Sequence, residues 1–477
     1  MKRAKCVCTI GPASGRADIL SSMIRNGMDV ARLNFSHGAH EEHKKYIKMI
    51  RQQSLALNKP VAVLQDLQGI KIRIGKVENG RIRLKTGSTV MLRKGKGLST
   101  PACLYIDYPG LVRDLRKGDR VLIDDGLKLL RVTGRNKDEV SARVIEGGEI
   151  TDKKGVNLPD TELKLSSFTP KDRKDLDLGI RMGVDYVAVS FVRRAKDVQE
   201  VKDYIERKGA KIPVIAKIEK PEALDHIDAI LSAADGIMIA RGDLGVEMNT
   251  EDVPMIQKKL IRMANQAGKI VITATQMLES MTGHLRPTRA EVTDVANAVL
   301  DGSDALMLSA ETSSGRYPRQ AVKMMARIIR KTETSLAIKG AWAEQGTRKT
   351  DEPYAVADAA VRAAQDIKAR AIVAFTHSGY TARLVSKFRP SVPILAFATN
   401  DRVQRRLSLY WGVTPLMMRP HRHTDDMISE VEKRLLEMGE VKKGDTVVII
   451  ASSPLSTSGR TNLMKLHRIT DHLQKSG

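Results

Sequence analysis

Lys217 and Glu219 stand two residues apart in Ile215-Ala-Lys-Ile-Glu-Lys-Pro221, and a second acid, Asp243, follows in Ala240-Arg-Gly-Asp-Leu-Gly245. A spacing of two puts an ammonium and a carboxylate on the same side of a strand end, where both can reach one centre. Viewed alone the pair reads equally as a surface salt bridge. The second carboxylate changes that reading, because two carboxylates with room for waters suit Mg²⁺, which takes one or two protein oxygens and completes its shell with water and substrate. Gly242 lets backbone N–H groups approach an anionic ligand, especially where a helix begins. Arg32 and Arg73 add positive charge, and no Gly-x4-Gly-Lys-Ser/Thr occurs anywhere in the chain, so this is not a P-loop phosphate site. A carboxylate-bound Mg²⁺ among Arg and Lys describes phosphoryl transfer, in which catalysis is mostly positioning and charge neutralisation.

Residues this far apart need a frame that gathers strand ends, and the hydropathy pattern supplies one. Eight short apolar runs occur at Lys5–Ile10, Asp29–Leu33, Val61–Gln65, Val184–Val189, Pro213–Ala216, Gly236–Ala240, Lys269–Ile272 and Asp304–Leu308. Most have the continuous Val/Ile/Ala/Met character of strands buried on both faces. Amphipathic helical stretches lie between them, for example Asp18–Asn26, Ala195–Lys208, Val253–Ala267 and Pro287–Leu300. The alternation predicts an α/β fold, a (β/α)₈ TIM barrel, with its chemistry in the loops after the strand C-terminal ends. Polar residues follow the runs in that register: Thr9 and Ser14, Asn34 and Ser36, Asp66, Ser190, Lys217 and Glu219, Arg241 and Asp243, Thr275 and Gln276, Ser309 and Glu311. Any one of these clusters reads equally as capping or turn chemistry, whereas eight in step point to a functional mouth.

More than a hundred residues separate the third and fourth runs, far beyond the usual βα connection of about 2 to 6. From about Arg73 to Pro159 the pattern becomes period-two, at Arg81–Lys85, Arg120–Ile123, Lys128–Val132 and Ser141–Ile145, with turns at Asn79-Gly80 and Asp125-Gly126. An all-β lid, a small β-barrel, is therefore expected on a barrel loop. After a linker-like Lys339–Gly346, strands at Ala371–Phe375, Ile394–Phe397 and Thr446–Ile450 alternate with helices at Ala355–Lys368 and Thr424–Met438, the pattern of a smaller open-sheet α/β domain. The expected division is 1–72 and 160–338 for the barrel, 73–159 for the lid and 339–477 for the C-terminal domain.

The length of 477 residues fits three such units. Eighty Lys+Arg against 56 Asp+Glu give a net charge of +24. That excess favours anionic partners, but with only 9 Tyr, 6 Phe and 2 Trp, and bases scattered among acids, no specific nucleic-acid surface is expected. Non-specific sticking to polyanions at low salt is. No apolar run nears the roughly 18 residues of a membrane span. Met1-Lys-Arg-Ala-Lys5 is followed too soon by Gly11-Pro12 to be a signal peptide, so the chain reads as cytoplasmic. Cys6, Cys8 and Cys103 cannot make a disulfide framework, and the first two read as core thiols.

At these residues the sequence resembles the pyruvate kinase family over nearly its whole length. The resemblance lies in Thr9-Ile-Gly-Pro-Ala-Ser14, Met28-Asp-Val-Ala-Arg-Leu-Asn-Phe-Ser-His-Gly38, Ile215–Pro221, Ile239-Ala-Arg-Gly-Asp-Leu-Gly-Val-Glu247 and Thr273-Ala-Thr-Gln-Met-Leu-Glu279. It continues in Arg286-Pro-Thr-Arg-Ala-Glu-Val-Thr-Asp-Val-Ala-Asn297 and Met307-Leu-Ser-Ala-Glu-Thr312. It implies phosphoryl transfer from phosphoenolpyruvate to ADP, giving pyruvate and ATP at the last step of glycolysis, in a homotetramer. It further implies that Glu219 and Asp243 hold Mg²⁺, that Lys217 stabilises the phosphoryl group in flight and the enolate oxygen, and that Arg32 holds the phosphate. Gly242, Asp243 and Thr275 would bind the carboxylate end, with Thr275 helping to deliver the proton. Asn34, Phe35, Ser36, His37, Arg73, Lys154 and Asp125 match nucleotide-side positions, although Asp125 is equally part of a hairpin turn. His37, His40 and His43 could suggest a metal, but they read better as a solvated helix start.

One segment departs from the family pattern. Where many members read Asp-Thr-Lys-Gly-Pro-Glu-Ile-Arg, this chain has Asp66-Leu-Gln-Gly-Ile-Lys-Ile-Arg73. The position formed by Asn34, Ser36 and Asp66 would ordinarily take K⁺; here Lys71 replaces a glutamate, and its ammonium can supply the same unit charge, so K⁺ is not expected to be required. In the C-terminal domain Thr376-His-Ser-Gly-Tyr-Thr381, with Ser452–Gly459 near by in pattern, resembles the family's effector-phosphate loop. That implies a phosphorylated allosteric effector, with plain N-capping as the competing reading. The rival functions at this stage are another Mg²⁺-dependent barrel enzyme of phosphoenolpyruvate or pyruvate, such as a lyase, and a non-enzymatic polyanion-binding protein.

Overall fold

A computed structural model describes residues 2–335, 351–421, 423–453 and 460–470. The expected linker at 339–346 and most of the second hydroxyl-rich loop lie outside these residues. Eight parallel strands close into a barrel: β1 Lys5–Thr9, β2 Met28–Asn34, β3 Ala62–Asp66, β4 Tyr186–Val189, β5 Val214–Ile218, β6 Gly236–Ala240, β7 Ile270–Ala274 and β8 Ala305–Leu308. Each coincides with one of the eight apolar runs. The strands are buried on both faces, which is why their sequences do not alternate. Alternation survives instead as two separate apolar clusters. Val7, Val30, Leu64, Ala188 and Ile215 fill the interior, while Cys6, Cys8, Ala31, Val63, Val187 and Ala216 pack outward with the helices. Burial pushes the Cys6 thiol up to about 11, as befits a core thiol.

The helices are set by local signals. Arg289–Leu300 starts on Thr288, whose hydroxyl accepts from the Glu291 N–H while Glu291 bonds back to the Thr288 N–H, a capping box. Glu291 also accepts from the Ser280 backbone at 2.7 Å, which fixes the loop after β7 against this helix.

The lid is a six-stranded sheet in the order Val156–Asn157, Arg120–Ile123, Lys128–Arg135, Glu139–Glu146, Thr89–Lys94, Cys103–Ile106, with a small ribbon of Arg81–Leu84 and Gly148–Thr151. Arg73 bridges Gly155 at one edge and Ile74 bridges Ile106 at the other, so the sheet curls around its own core. The expected turns are present, with Asn79, Asp125 and Gly126 at φ 53°, 55° and 83°.

The C-terminal sheet has five strands in the order Val413–Met417, Ile394–Ala398, Ala371–Thr376, Thr446–Ala451, Leu463–Arg468. The outer two were not anticipated. Val413-Thr-Pro-Leu-Met carries a proline, which demotes a run to an edge, and Leu463–Arg468 is a half-exposed antiparallel edge rich in polar residues.

Candidate active site

The inward column of five strands changes from apolar to polar at its C-terminal end: Val7 to Thr9, Val30 to Arg32, Leu64 to Asp66, Ala188 to Ser190, and Ile215 to Lys217 and Glu219. Strand periodicity therefore brings these side chains together above the barrel core. The Lys217 ammonium donates to Ser190 Oγ at 2.7 Å and pairs with Glu219 Oε1 at 2.8 Å and Asp66 Oδ1 at 3.2 Å. Burial opposes its charge, but Asp66 and Glu219 more than compensate and hold it above the ordinary lysine range. Arg32 reaches Asp66 Oδ2 through Nε at 2.8 Å and Thr9 Oγ1 at 2.9 Å. Asp66 is buried, yet Lys217 and Arg32 keep it below the usual carboxylate range.

Glu219 is the site's strained acid. It is 1% exposed, and burial, with the Asp243 charge adding to it, pushes it up to about 7 despite Lys217 and a 2.7 Å hydrogen bond from the Phe191 N–H. A buried carboxylate held beside a second one at the mouth is a donor set that a divalent cation stabilises. Among the described residues no group of three or more His, Cys, Asp or Glu is arranged to hold a metal. The pair alone would leave most of a Mg²⁺ shell to water and substrate, which is that ion's habit. His43 Nε2 lies 2.9 Å from the His37 carbonyl and His40 Nε2 lies 2.7 Å from Asp175, so these two rings are engaged elsewhere.

Asp243 lies in the first turn of Arg241–Glu247, the short helix that begins directly after β6. The Gly242 N–H donates to Thr275 Oγ1 at 2.7 Å. Thr275 has φ 69°, an outlier for a β-branched residue. Arg241 restrains that turn: it donates to the Thr275 carbonyl at 2.9 Å and forms two 2.7 Å bonds with Asp294 of the capped helix.

On the lid side, Arg73 donates to the Lys153 carbonyl at 2.7 Å, and Lys154 pairs with Asp124 at 2.7 Å. Lys71, Asp125, Asn157 and Asp243 line one cleft between lid and barrel. The Lys71 side chain reaches solvent at the cleft wall and forms no ion pair with Asp66 among the described residues; partial loss of water in the cleft, then Arg73, lowers its pKa, opposed by Asp243 and Asp125. Asn34 Oδ1 accepts from the Ser36 N–H at 3.1 Å and Asn34 Nδ2 lies 3.4 Å from His37 Nδ1, so these three form one turn. Burial, followed by Lys71 and Arg73, lowers the His37 pKa. Phe35 is buried and stacks on His43 at 4.0 Å, so its side chain packs the turn and does not face the cleft.

In the C-terminal loop, Thr376 Oγ1 accepts from the Gly379 N–H at 2.8 Å, and Thr381 Oγ1 pairs with Thr461 Oγ1 at 2.8 Å. His377 and Ser378 are exposed, and Tyr380 opens the helix Tyr380–Lys387. Sequence reasoning marked Thr9 and Ser190 as polar strand ends without giving them partners, and it did not find Arg241 with Asp294. The column change from apolar to polar was the available signal for the first two; nothing local pairs the second two.

Comparison with known proteins bears on this arrangement. The family model described as pyruvate kinase, barrel domain, matches residues 1–322, and that described as pyruvate kinase, alpha/beta domain, matches 354–467. The pyruvate kinase of Geobacillus stearothermophilus is 46% identical over 478 residues, covering 99% of this chain and 81% of that protein. That of Mycobacterium tuberculosis is 45% identical over 469 residues, covering 98% of each. A crystal structure of a pyruvate kinase from Cryptosporidium parvum superposes with a TM-score of 0.92 at 37% identity, covering 98% of this chain and 96% of the other.

Proposed function

Because the chain belongs to the pyruvate kinase family and is a kinase enzyme, we propose that it transfers the phosphoryl group of phosphoenolpyruvate to ADP and protonates the resulting enolate to pyruvate. The observation that carries this reading is Lys217 gripped by Asp66, Glu219 and Ser190, with Arg32 on the other oxygen of Asp66. Two cations fixed by shared carboxylates are preorganised where phosphoryl charge develops, so little reorganisation is needed during transfer. Arg32 holds the phosphate, and Lys217 faces the bond that breaks and the enolate oxygen left behind. Gly242 and Thr275 bind the substrate carboxylate, and the Thr275 hydroxyl helps relay the proton that the enolate carbon takes up. Glu219 and Asp243 would hold Mg²⁺, which supplies charge neutralisation to the phosphoryl and enolate oxygens when bound.

Arg73, Lys154 and Asp125 of the lid, with Asn34, Ser36 and His37 of the barrel, are the proposed nucleotide side; Asp125 lines the cleft, and the Arg73 charge acts on His37. K⁺ is not required in this reading. Asp66 already bears two cations, and Lys71 adds a third positive charge near by, so the position made by Asn34, Ser36 and Asp66 has no free carboxylate to offer. The Thr376–Thr381 loop, with Ser378 and His377 exposed, is the proposed site of a phosphorylated effector. A homotetramer and a cytoplasmic location accompany the glycolytic role. The boundaries at 72, 159 and 338 serve as the working division; the lid has its own apolar cluster, which reaches past both of its boundaries to Ile70 and Leu163. A coupled assay for ADP-dependent pyruvate formation, with and without Mg²⁺, tests the reading. Activity dependent on both supports it, and a chain that consumes phosphoenolpyruvate without ADP would be a lyase.

A further inference from the structure

The lid is joined to the barrel by two limbs, and one short loop touches both. The outgoing limb begins at Leu67, directly after β3, and the return limb runs from Val156 through Leu165. After β4 the chain makes the loop Ser190–Arg193. Ser190 Oγ donates to the Leu67 carbonyl at 2.7 Å, and a Cβ on Gly69 would lie only 3.0 Å from Phe191 and from Ser190, so backbone and loop are in close contact there. Arg193 holds the other limb. Arg193 as a whole is 9% exposed, and its guanidinium donates to the carbonyls of Leu163 and Leu165, the latter at 2.5 Å. The nearest acid is Asp197, at 3.8 Å, which also accepts from the Arg193 N–H at 2.9 Å. This cation is thus satisfied mainly by two main-chain oxygens of the return limb, a task suited to a planar fork of donors and poorly suited to a point charge.

The same loop sets the chemistry. Ser190 Oγ accepts from Lys217, and the Phe191 N–H, on a residue at φ 53°, donates to Glu219 Oε2 at 2.7 Å. A bulky side chain in the left-handed region persists only where its surroundings over-determine it. Here the outgoing limb crowds it at Gly69, Glu219 holds its N–H, and Arg193 two residues on ties the loop to the return limb. A second tie between lid and barrel, from Asn157 to Glu247 at 2.7 Å, reaches the barrel at another helix and does not touch the loop.

We propose that Arg193 is a positioning residue that locks the return limb of the lid to the β4 loop, so that the seating of the lid and the orientation of Lys217 and Glu219 change together. The inference rests on the phosphoryl-transfer reading for its catalytic half only. Arg193 borders the cleft between lid and barrel, but its guanidinium is taken up by the Leu163 and Leu165 carbonyls; in this proposal it acts through the Phe191 N–H and the Ser190 hydroxyl. Removing it strands a buried carbonyl at Leu163 and a part-buried one at Leu165, frees the return limb and lets Phe191 relax toward ordinary backbone geometry, which withdraws the donor from Glu219.

The test compares wild type, Arg193→Gln, Arg193→Lys and Asn157→Ala by backbone hydrogen exchange of the full chain and by steady-state kinetics. In Arg193→Gln, peptides covering Leu158–Leu165 and Tyr186–Val192 should both exchange on the order of tenfold faster. Turnover should fall about 10- to 100-fold, since small misplacements of catalytic groups cost that much. The KM for phosphoenolpyruvate should move less than about threefold, because Arg32 keeps its own partners. Arg193→Lys should fall between the two, and it stands in if the glutamine variant does not fold. Asn157→Ala should loosen the lid and leave Tyr186–Val192 unchanged. Faster exchange in the return limb alone, with turnover intact, would reduce Arg193 to a hinge anchor and overturn the proposal, as would an equal response of Tyr186–Val192 in Asn157→Ala. If the wild type forms no pyruvate, the functional reading fails while exchange still decides the coupling.

Discussion

The two ends of the barrel use the same residue types to opposite ends. At the floor, aspartates sit where the even-numbered strands start, Asp29 second in β2 and Asp185, Asp235 and Asp304 directly before β4, β6 and β8, and each accepts from the backbone of the preceding odd strand: Asp29 from Cys6, Asp185 from Val63 and Asp304 from Val271 at 2.8 Å, and Asp235 from Val214 at 2.9 Å. Each is also paired with a base: Lys2 for Asp29, Arg51 and Arg405 for Asp185, Lys202 for Asp235, Lys387 and Arg389 for Asp304. Arg405, Lys387 and Arg389 come from the C-terminal domain, so the floor is closed by another domain. At the mouth, by contrast, Lys217 is shared among three partners, Glu219 is pushed up to about 7, and Asp243 lines an open cleft. Each floor aspartate is matched by a base, although burial still lowers the Lys387 pKa to about 8, whereas at the mouth Glu219 is left beside a like charge, at a cost that a substrate and a cation would offset.

The largest effect expected from this contrast is at the floor. Asp304→Ala leaves Lys387 and Arg389 buried without their carboxylate, and it should destabilise by about 3 to 5 kcal/mol, read as a drop in denaturation midpoint. A loss below about 1 kcal/mol would mean that the floor pairs are not stabilising.

At the mouth, Lys71→Glu changes the local charge by two units beside Asp243 and should create a dependence on K⁺ on the order of tenfold in turnover, where the wild type shows little. The check is turnover with and without K⁺ at constant ionic strength; strong K⁺ activation of the wild type would refute the assignment of Lys71.

A smaller effect follows from Glu219. Its folded value, raised from 4.5 to about 7, means that the folded chain holds this proton where the unfolded chain has lost it. Its contribution to stability is therefore present at low pH, is lost as pH rises between about 4.5 and 7, and is flat above. A divalent cation must displace that proton below about 7, so Mg²⁺ should raise Tm more at pH 8 than at pH 6, with affinity weaker by up to about tenfold at the lower pH. Equal shifts at the two pH values would show that Glu219 is already ionised at both.

The sequence made the barrel legible because each buried run, whatever its helix neighbours, is short and apolar and ends in a polar column. Lys217, Glu219 and Asp243 could be read for the same reason: a strand end fixes which side chains point inward. The lid was legible as alternation at Arg120–Ile123 and Lys128–Val132 but not at Cys103–Ile106, which is four residues long after a turn. The Ser190–Arg193 loop was opaque, because its meaning lies in carbonyls more than twenty residues back and a carboxylate near thirty ahead. The floor aspartates were folded into apolar runs at Asp29 and Asp304, and their role depends on which backbone N–H lies beside them.

The contrast between floor and mouth is tested most directly by removing one lysine from each, Lys217→Met and Lys387→Met, and measuring turnover and thermal midpoint on both. Lys217→Met should lose about 10²- to 10³-fold or more in turnover with a Tm within a few degrees of wild type, since Glu219 can simply keep its proton. Lys387→Met should lower Tm by several degrees while turnover per folded molecule stays within about threefold of wild type. Near wild-type turnover in Lys217→Met, or abolished turnover with an unchanged Tm in Lys387→Met, would contradict the division of labour between the two ends.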